Sequence, residues 1–240
     1  MKTLLQTKVG DIVAQNYKAA PVLTAHGIDF CCRGGVSLEE ACHRQQVAID
    51  ELVNKLEETM QVSDSFHDQS LGLSELIDTI VDEHHAYVRT TIPALKTYLE
   101  KLEKVHGQRH PELGEIRTLF FAASENLLAH LKKEELILFP YVRAMVESQE
   151  KGYPLGRPHF GELDNPIRMM EAEHQTEGDR FRKIAQLSNH YTPPEDACQT
   201  YRVAYALLHE FETDLHRHIH LENNLLFPRA QQLFAEFSFK

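Results

Sequence analysis

The chain has 240 residues of ordinary globular composition, with no Trp, enough for a full core and a second small unit. A formal charge of -11 argues against a protein whose main affinity is for phosphate backbones, so nucleic acid is not an expected partner. Cys31, Cys32, Cys42 and Cys198 fit no spaced disulfide framework, and reduced thiols are the simpler expectation.

Met1 to Gln6 turns polar before an apolar run forms, so no signal peptide is expected. No later segment reads as a membrane span, which predicts a cytoplasmic protein. Residues 1–60 read as a small helical unit. Val9, Ile12, Val13, Val22 and Leu23 supply its apolar positions, and Gly27 marks a break. A glycine-flanked turn follows, with Cys31 and Cys32 beside Arg33. Ser37-Leu-Glu-Glu40 has the form of a capping box opening a helix that carries Ala41, Cys42, Val47, Ile49, Leu52 and Leu56 on one side. The polar, aperiodic stretch after Gln61 predicts a linker over 61–72, leaving 73–240 as a second domain.

That domain reads as four long amphipathic helices. Helix A runs from about Leu73 to Val105 with Pro93 inside it, helix B from Glu112 to Val146, and helix C from Pro166 to Asn189. Helix D is expected to start at Thr192-Pro193-Pro194, with Thr192 as N-cap and proline in the first turn, and to end near Phe234. Modest loops joining four helices predict an all-α, up-down four-helix bundle.

One pattern occurs twice. His130-Leu-Lys-Lys-Glu134 and His218-Ile-His-Leu-Glu222 are each followed by Leu-Phe-Pro at the same offset. Residues four apart share a helix face, so each copy can offer an imidazole and a carboxylate to one point. Helix A adds Asp82-Glu83-His84-His85 and helix C adds Glu171-Ala172-Glu173-His174 upstream. The domain therefore reads as two αα-hairpins, each giving one His from its first helix and His plus Glu from its second. Two metals can share four imidazoles and two carboxylates, with Glu134 and Glu222 bridging and an oxo or hydroxo group completing the pair. That describes a non-haem di-iron centre, with manganese the main rival.

Only one of His84 and His85 can face the bundle axis. The stripe through Val81, Val88 and Ile92 admits His85, leaving His84 as a surface group or the partner of a ligand. Glu135, His220 and His216 read as surface groups, and His106, His110 and His159 as solvent histidines in loops. Glu173 and Glu125 are candidates to hold ligand imidazoles by hydrogen bonds. Cys198 reads as a small buried residue in the first turn of helix D. The Cys31-Cys32 pair suits metal, nitrosyl or redox chemistry as well as simple burial.

The two His-x-x-x-Glu-x-x-x-Leu-Phe-Pro segments with Glu173-His174 resemble a hemerythrin-like domain. The stretch from Gly27 to Cys42 resembles the N-terminal domain found with it in the di-iron proteins that repair iron-sulfur clusters. The resemblance covers nearly the whole chain. It implies two non-haem irons held by His85, His130, Glu134, His174, His218 and Glu222, a cytoplasmic homodimer, and damaged iron-sulfur proteins as partners. Cluster repair by iron donation after nitrosative or oxidative stress is the implied function. A nitric oxide or peroxide reductase and an oxygen or nitric oxide sensor are the alternatives. The extra His of oxygen-carrying hemerythrins has no obvious counterpart here.

Overall fold

Apolar residues at every third or fourth position need a helix to gather them on one face, and the computed structural model places helices on these segments. It describes residues 2–61 and 70–237, so most of the expected linker lies outside the described residues. The N-terminal part holds α1 (Lys2–Gln6), α2 (Val9–Gln15), α3 (Ala19–Ala25), α4 (Leu38–Gln45) and α5 (Ile49–Met60). Ser37 caps α4 by accepting from the Glu40 amide at 3.2 Å. The single helix expected after Ser37 is two helices, because Gln46 adopts a left-handed conformation (φ 56) and turns the chain.

The four long helices are present with interruptions that periodicity did not show. Helix A is α6 (Leu73–Thr79), a π turn over Ile80–His85, and α7 (Ala86–His106). Helix B is α8 (Glu112–Lys133), a π turn over Glu134–Leu138, and α9 (Phe139–Lys151). Helix C is α10 (Asp164–Leu187), without a π turn. Helix D is α11 (Gln199–Leu221), a π turn over Glu222–Leu226, and α12 (Phe227–Ala235).

Two of these π turns end just before Phe139-Pro140 and Phe227-Pro228. Proline removes one helical N–H and its ring crowds the carbonyl four residues earlier. A wider turn relieves that crowding, so each Leu-Phe-Pro is the sequence signal of a π turn.

Helix D begins later than expected. Asn189, His190 and Tyr191 all have positive φ (49, 52 and 58), and the Ala197 amide closes a turn onto the Pro194 carbonyl at 3.0 Å. The first helical residue is Gln199, and Cys198 is its exposed N-cap rather than a buried residue of the first turn.

In the bundle α7 packs against α8 and α11, and α8 packs against α10. Its core falls into two apolar halves. One, around Phe120, Phe181 and Phe211 with ring centroids 5.5–6.4 Å apart, is continuous with the core of the N-terminal helices. The other gathers Leu76, Ile80, Phe139, Met170, Leu226 and Phe227. A layer of buried His and Glu lies between them. The N-terminal helices are pinned to the fourth helix by Asn224, which donates to the Phe30 carbonyl at 3.3 Å. Gly10 makes room for it, since a Cβ there would lie 2.2 Å from Asn224 Oδ1. Among the described residues no helix is long and apolar enough to cross a membrane.

Candidate metal centre

The buried polar layer consists of His85, His130, Glu134, His174, His218 and Glu222. Uncompensated burial of two carboxylates would cost several kcal/mol, so their surroundings must supply positive charge. The six groups fall into two sets whose ligand atoms lie within 4.8 Å of one another: His85, His218, Glu134 and Glu222, and His130, His174, Glu134 and Glu222. Each set takes its two histidines from different hairpins, and both share the same two carboxylates.

The carboxylates split their oxygens between the sets. Glu134 Oε2 faces His85 Nε2 at 3.4 Å, and Oε1 faces His130 Nε2 at 3.2 Å. Glu222 Oε1 faces His218 Nε2 at 3.0 Å, and Oε2 faces His174 Nε2 at 3.1 Å. The imidazole nitrogens also converge, with 3.2 Å between His85 Nε2 and His218 Nε2 and 3.0 Å between His174 Nε2 and His130 Nε2.

Facing imidazole nitrogens at this distance are held by a shared proton or by a cation between them. Both oxygens of Glu134 and Oε2 of Glu222 are buried without a donor in hydrogen-bonding geometry, which fits a cation. Burial and the neighbouring Glu222 carboxylate push the Glu134 carboxyl up. His130 and His85 outweigh them and hold it below the usual range. His130 is pulled down by burial, but the carboxylates of Glu134, Glu173 and Glu222 lift its imidazolium to about 10. This layer thus attracts positive charge strongly.

Three imidazoles are oriented from behind, which leaves each Nε2 lone pair facing inward. His85 Nδ1–H donates to Glu135 at 2.6 Å, His130 Nδ1–H to Glu173 at 2.8 Å, and His174 Nδ1–H to Asn223 Oδ1 at 2.8 Å. Glu135 is therefore no solvated residue, and it also accepts from Arg89 at 2.6 Å. Burial would raise its carboxyl, and those two donors hold it below the usual range. The Glu173 carboxyl is held down at about 2 by His130 and Lys133 against the effect of burial. Glu125 is exposed.

Three histidines stand elsewhere than expected, and a fourth, His84, takes the second of its two expected places. His84 is buried, donates through Nδ1–H to Asp214 at 2.8 Å, and stacks on His218 with centroids 5.6 Å apart. His220 is buried against Phe30 and Tyr17, and burial holds its imidazole at about 3, so it stays neutral. His216 is partly buried beneath Phe30. His106 ends α7 buried, with Nε2 3.3 Å from Cys198 Sγ. His110 pairs with Asp196, while His159 is exposed as expected. Tertiary contact decides all four, and a single helix face carries no trace of it.

The two sets open differently. A cavity of about 230 Å³ reaches His130 and His174, lined also by Asn126, Lys133, Glu173 and Glu177. His85 is closed by the Phe139 ring at 5.8 Å, and His218 by His84.

Residues 76–230 match the hemerythrin HHE cation binding domain, and residues 5–60 match a domain of unknown function, DUF542. The chain is 38% identical over 214 residues to proteins named "Iron-sulfur cluster repair protein YtfE" from Yersinia pseudotuberculosis serotype IB (strain PB1/+) and Yersinia pestis (strain Pestoides F). These alignments cover 89% of this chain and 91% of each relative.

Proposed function

The chain belongs to the hemerythrin HHE cation-binding family, and from that premise we propose that it holds two iron ions and gives them up to repair damaged iron-sulfur clusters. The observation that carries this reading is the division of each shared carboxylate, one oxygen to each pair of histidines. Glu134 and Glu222 would each be shared between two cations, and His85 with His218 and His130 with His174 would complete the two sets.

The spacing of the imidazoles is that of two nitrogens bound to one cation. Nitrogens bound at about 2.1 Å stand about 3.0 Å apart at a right angle and about 3.4 Å apart at the tetrahedral angle. The observed 3.2 and 3.0 Å fall within or near that range. Two histidines and two carboxylate oxygens leave each cation short of a full set, which suits cargo that has to leave. When bound, iron supplies Lewis acidity and redox chemistry at those open positions. The chain's own part is to fix the four Nε2 atoms, neutralise charge with two buried carboxylates and leave one pair within reach of solvent through the cavity at Glu173.

The same cavity favours a second reading, reduction of nitric oxide or peroxide at the open positions, because it is wide enough for small molecules. Multiple turnovers with an added electron donor would support that reading, and stoichiometric consumption would count against it. A homodimer and a cytoplasmic setting belong to the main proposal, and light scattering tests the first. The decisive experiment loads the full chain with iron and mixes it with a cluster enzyme damaged by nitric oxide. Iron donation predicts recovery of that enzyme with matching loss of iron from this protein. Recovery no greater than with the apo protein would overturn it.

A further inference from the structure

We propose that Asp29, Cys31 and Cys32 form a second cation site, built for a thiophilic divalent ion and set against the backbone of His174. The three residues offer ligand atoms within 4.8 Å of one another. Cys31 Sγ lies 3.7 Å from Cys32 Sγ and 3.4 Å from Asp29 Oδ1. Two thiolates on a tetrahedral ion at about 2.3 Å stand about 3.8 Å apart, and a thiolate and a carboxylate oxygen stand about 3.5 Å apart. The thiols thus already have the spacing that one tetrahedral ion requires. In the metal-free turn the same spacing is held by S–H hydrogen bonds, from Cys31 to Asp29 and between the two thiols, which an ion would replace.

The turn is built around this geometry. Asp29 Oδ1 accepts from the amides of Cys31 at 3.1 Å and Cys32 at 2.9 Å, which fixes both Cα–Cβ directions relative to the carboxylate. Arg182 donates to Asp29 Oδ2 at 2.8 Å and offsets the charge that two thiolates would add. Asn223 holds the turn from the bundle side, donating to the Cys31 carbonyl at 3.2 Å while accepting from the His174 ring.

Helix α10 has a notch for Cys32. Its thiol donates to the His174 carbonyl at 3.4 Å, and a Cβ on Gly178 would lie 3.0 Å from its sulfur. Glycine inside a helix costs about 1 kcal/mol relative to Ala, and here it lets the thiol approach the backbone. Cys31 is buried and Cys32 half-buried, so the ion is reached from the Cys32 side.

Binding exchanges protons for the ion. One divalent cation forms two metal–sulfur bonds, and two S–H protons leave to solvent. Because those protons must leave, occupancy falls as pH falls. The site stands whether or not the bundle donates iron. If it does, this dithiol sits where an outgoing ion would pass from imidazole to sulfur, a step that rests on that reading.

The test titrates cobalt(II) into full-length, reduced protein whose bundle is already metal-loaded. One further equivalent should bind, with a thiolate-to-cobalt charge-transfer band and release of two protons per ion. Cys32→Ser should weaken that binding about a hundredfold or more and abolish the band. Cys32 is half-buried, so this variant keeps the question open to test if Cys31→Ser fails to fold. Cys198→Ser should leave the band intact, and His218→Ala should lower the bundle's metal content without touching it. No band in the wild-type protein, or an equal band in Cys32→Ser, would overturn the site. A band lost in His218→Ala would overturn its independence from the bundle.

Discussion

The two halves of the buried layer use the same ligand types and differ in everything behind them. His85 and His218 are closed in by Phe139 and His84, and His85 is held by the doubly engaged carboxylate of Glu135. His130 and His174 border a cavity, and their partners Glu173 and Asn223 reach respectively to Lys133 at the cavity and to the cysteine turn. Equivalent first contacts with unequal surroundings leave one half enclosed and the other open to a cavity. Sequence symmetry alone suggests two equal halves.

The strongest challenge to this contrast removes what the halves share. On the proposed two-iron reading, Glu222→Ala, like Glu134→Ala, should lose both ions, lowering metal analysis from two per chain to near none. A variant that kept one iron would show that the carboxylate serves a single half. Next in size, a chelator should strip iron in two phases, with the first from the His130 and His174 half. His85→Ala should erase the slow phase, and one uniform phase in the wild type would remove the contrast.

Smaller effects come from the orienting groups. Glu135→Ala should weaken metal affinity by about 10–100-fold, as loss of a group that orients a ligand imidazole usually does. Asn223→Ala should fall at the lower end because its acceptor is neutral. Equal losses would make the charge on Glu135 irrelevant. A separate effect, on stability rather than on metal, lies away from the layer, at Glu212. Burial lifts its carboxyl to about 7, against the pull of Tyr191 and Arg182. The folded protein then binds a proton that the unfolded chain releases near pH 4.5, so stability falls as pH rises from about 4.5 to 7. Glu212→Gln should flatten that slope, gaining on the order of 2–3 kcal/mol at pH 8 relative to the wild type. Parallel unfolding curves against pH would refute it.

The four helices and the six residues of the layer were legible because each depends on spacing along one helix. The repeat of His-x-x-x-Glu with an upstream His carries the face on which every one of them lies. Glu135 escaped because its partner, His85, is on another helix. Its position one step off the four-residue spacing reads as solvent only when a helix is viewed alone. Cys198 and the start of helix D escaped for a different reason. Proline at 193 and 194 favours a first turn, but Asp196 is drawn to Arg109 and His110, and three left-handed residues precede it. Gln46 breaks a helix in the same way, through a backbone conformation that no side-chain pattern announces.

A π turn is arithmetically an α-helix with one residue inserted, and the three in this bundle all carry layer residues. Deleting Leu136, whose side chain is 75% exposed and so contributes little to the core, would restore an α register. The chain after it would rotate by about 100° against the chain before it. Glu134 and Phe139 would then no longer face the same interior. Length in these segments is therefore as constrained as residue identity, and one residue lost between Glu134 and Pro140 would break the layer as surely as loss of the glutamate.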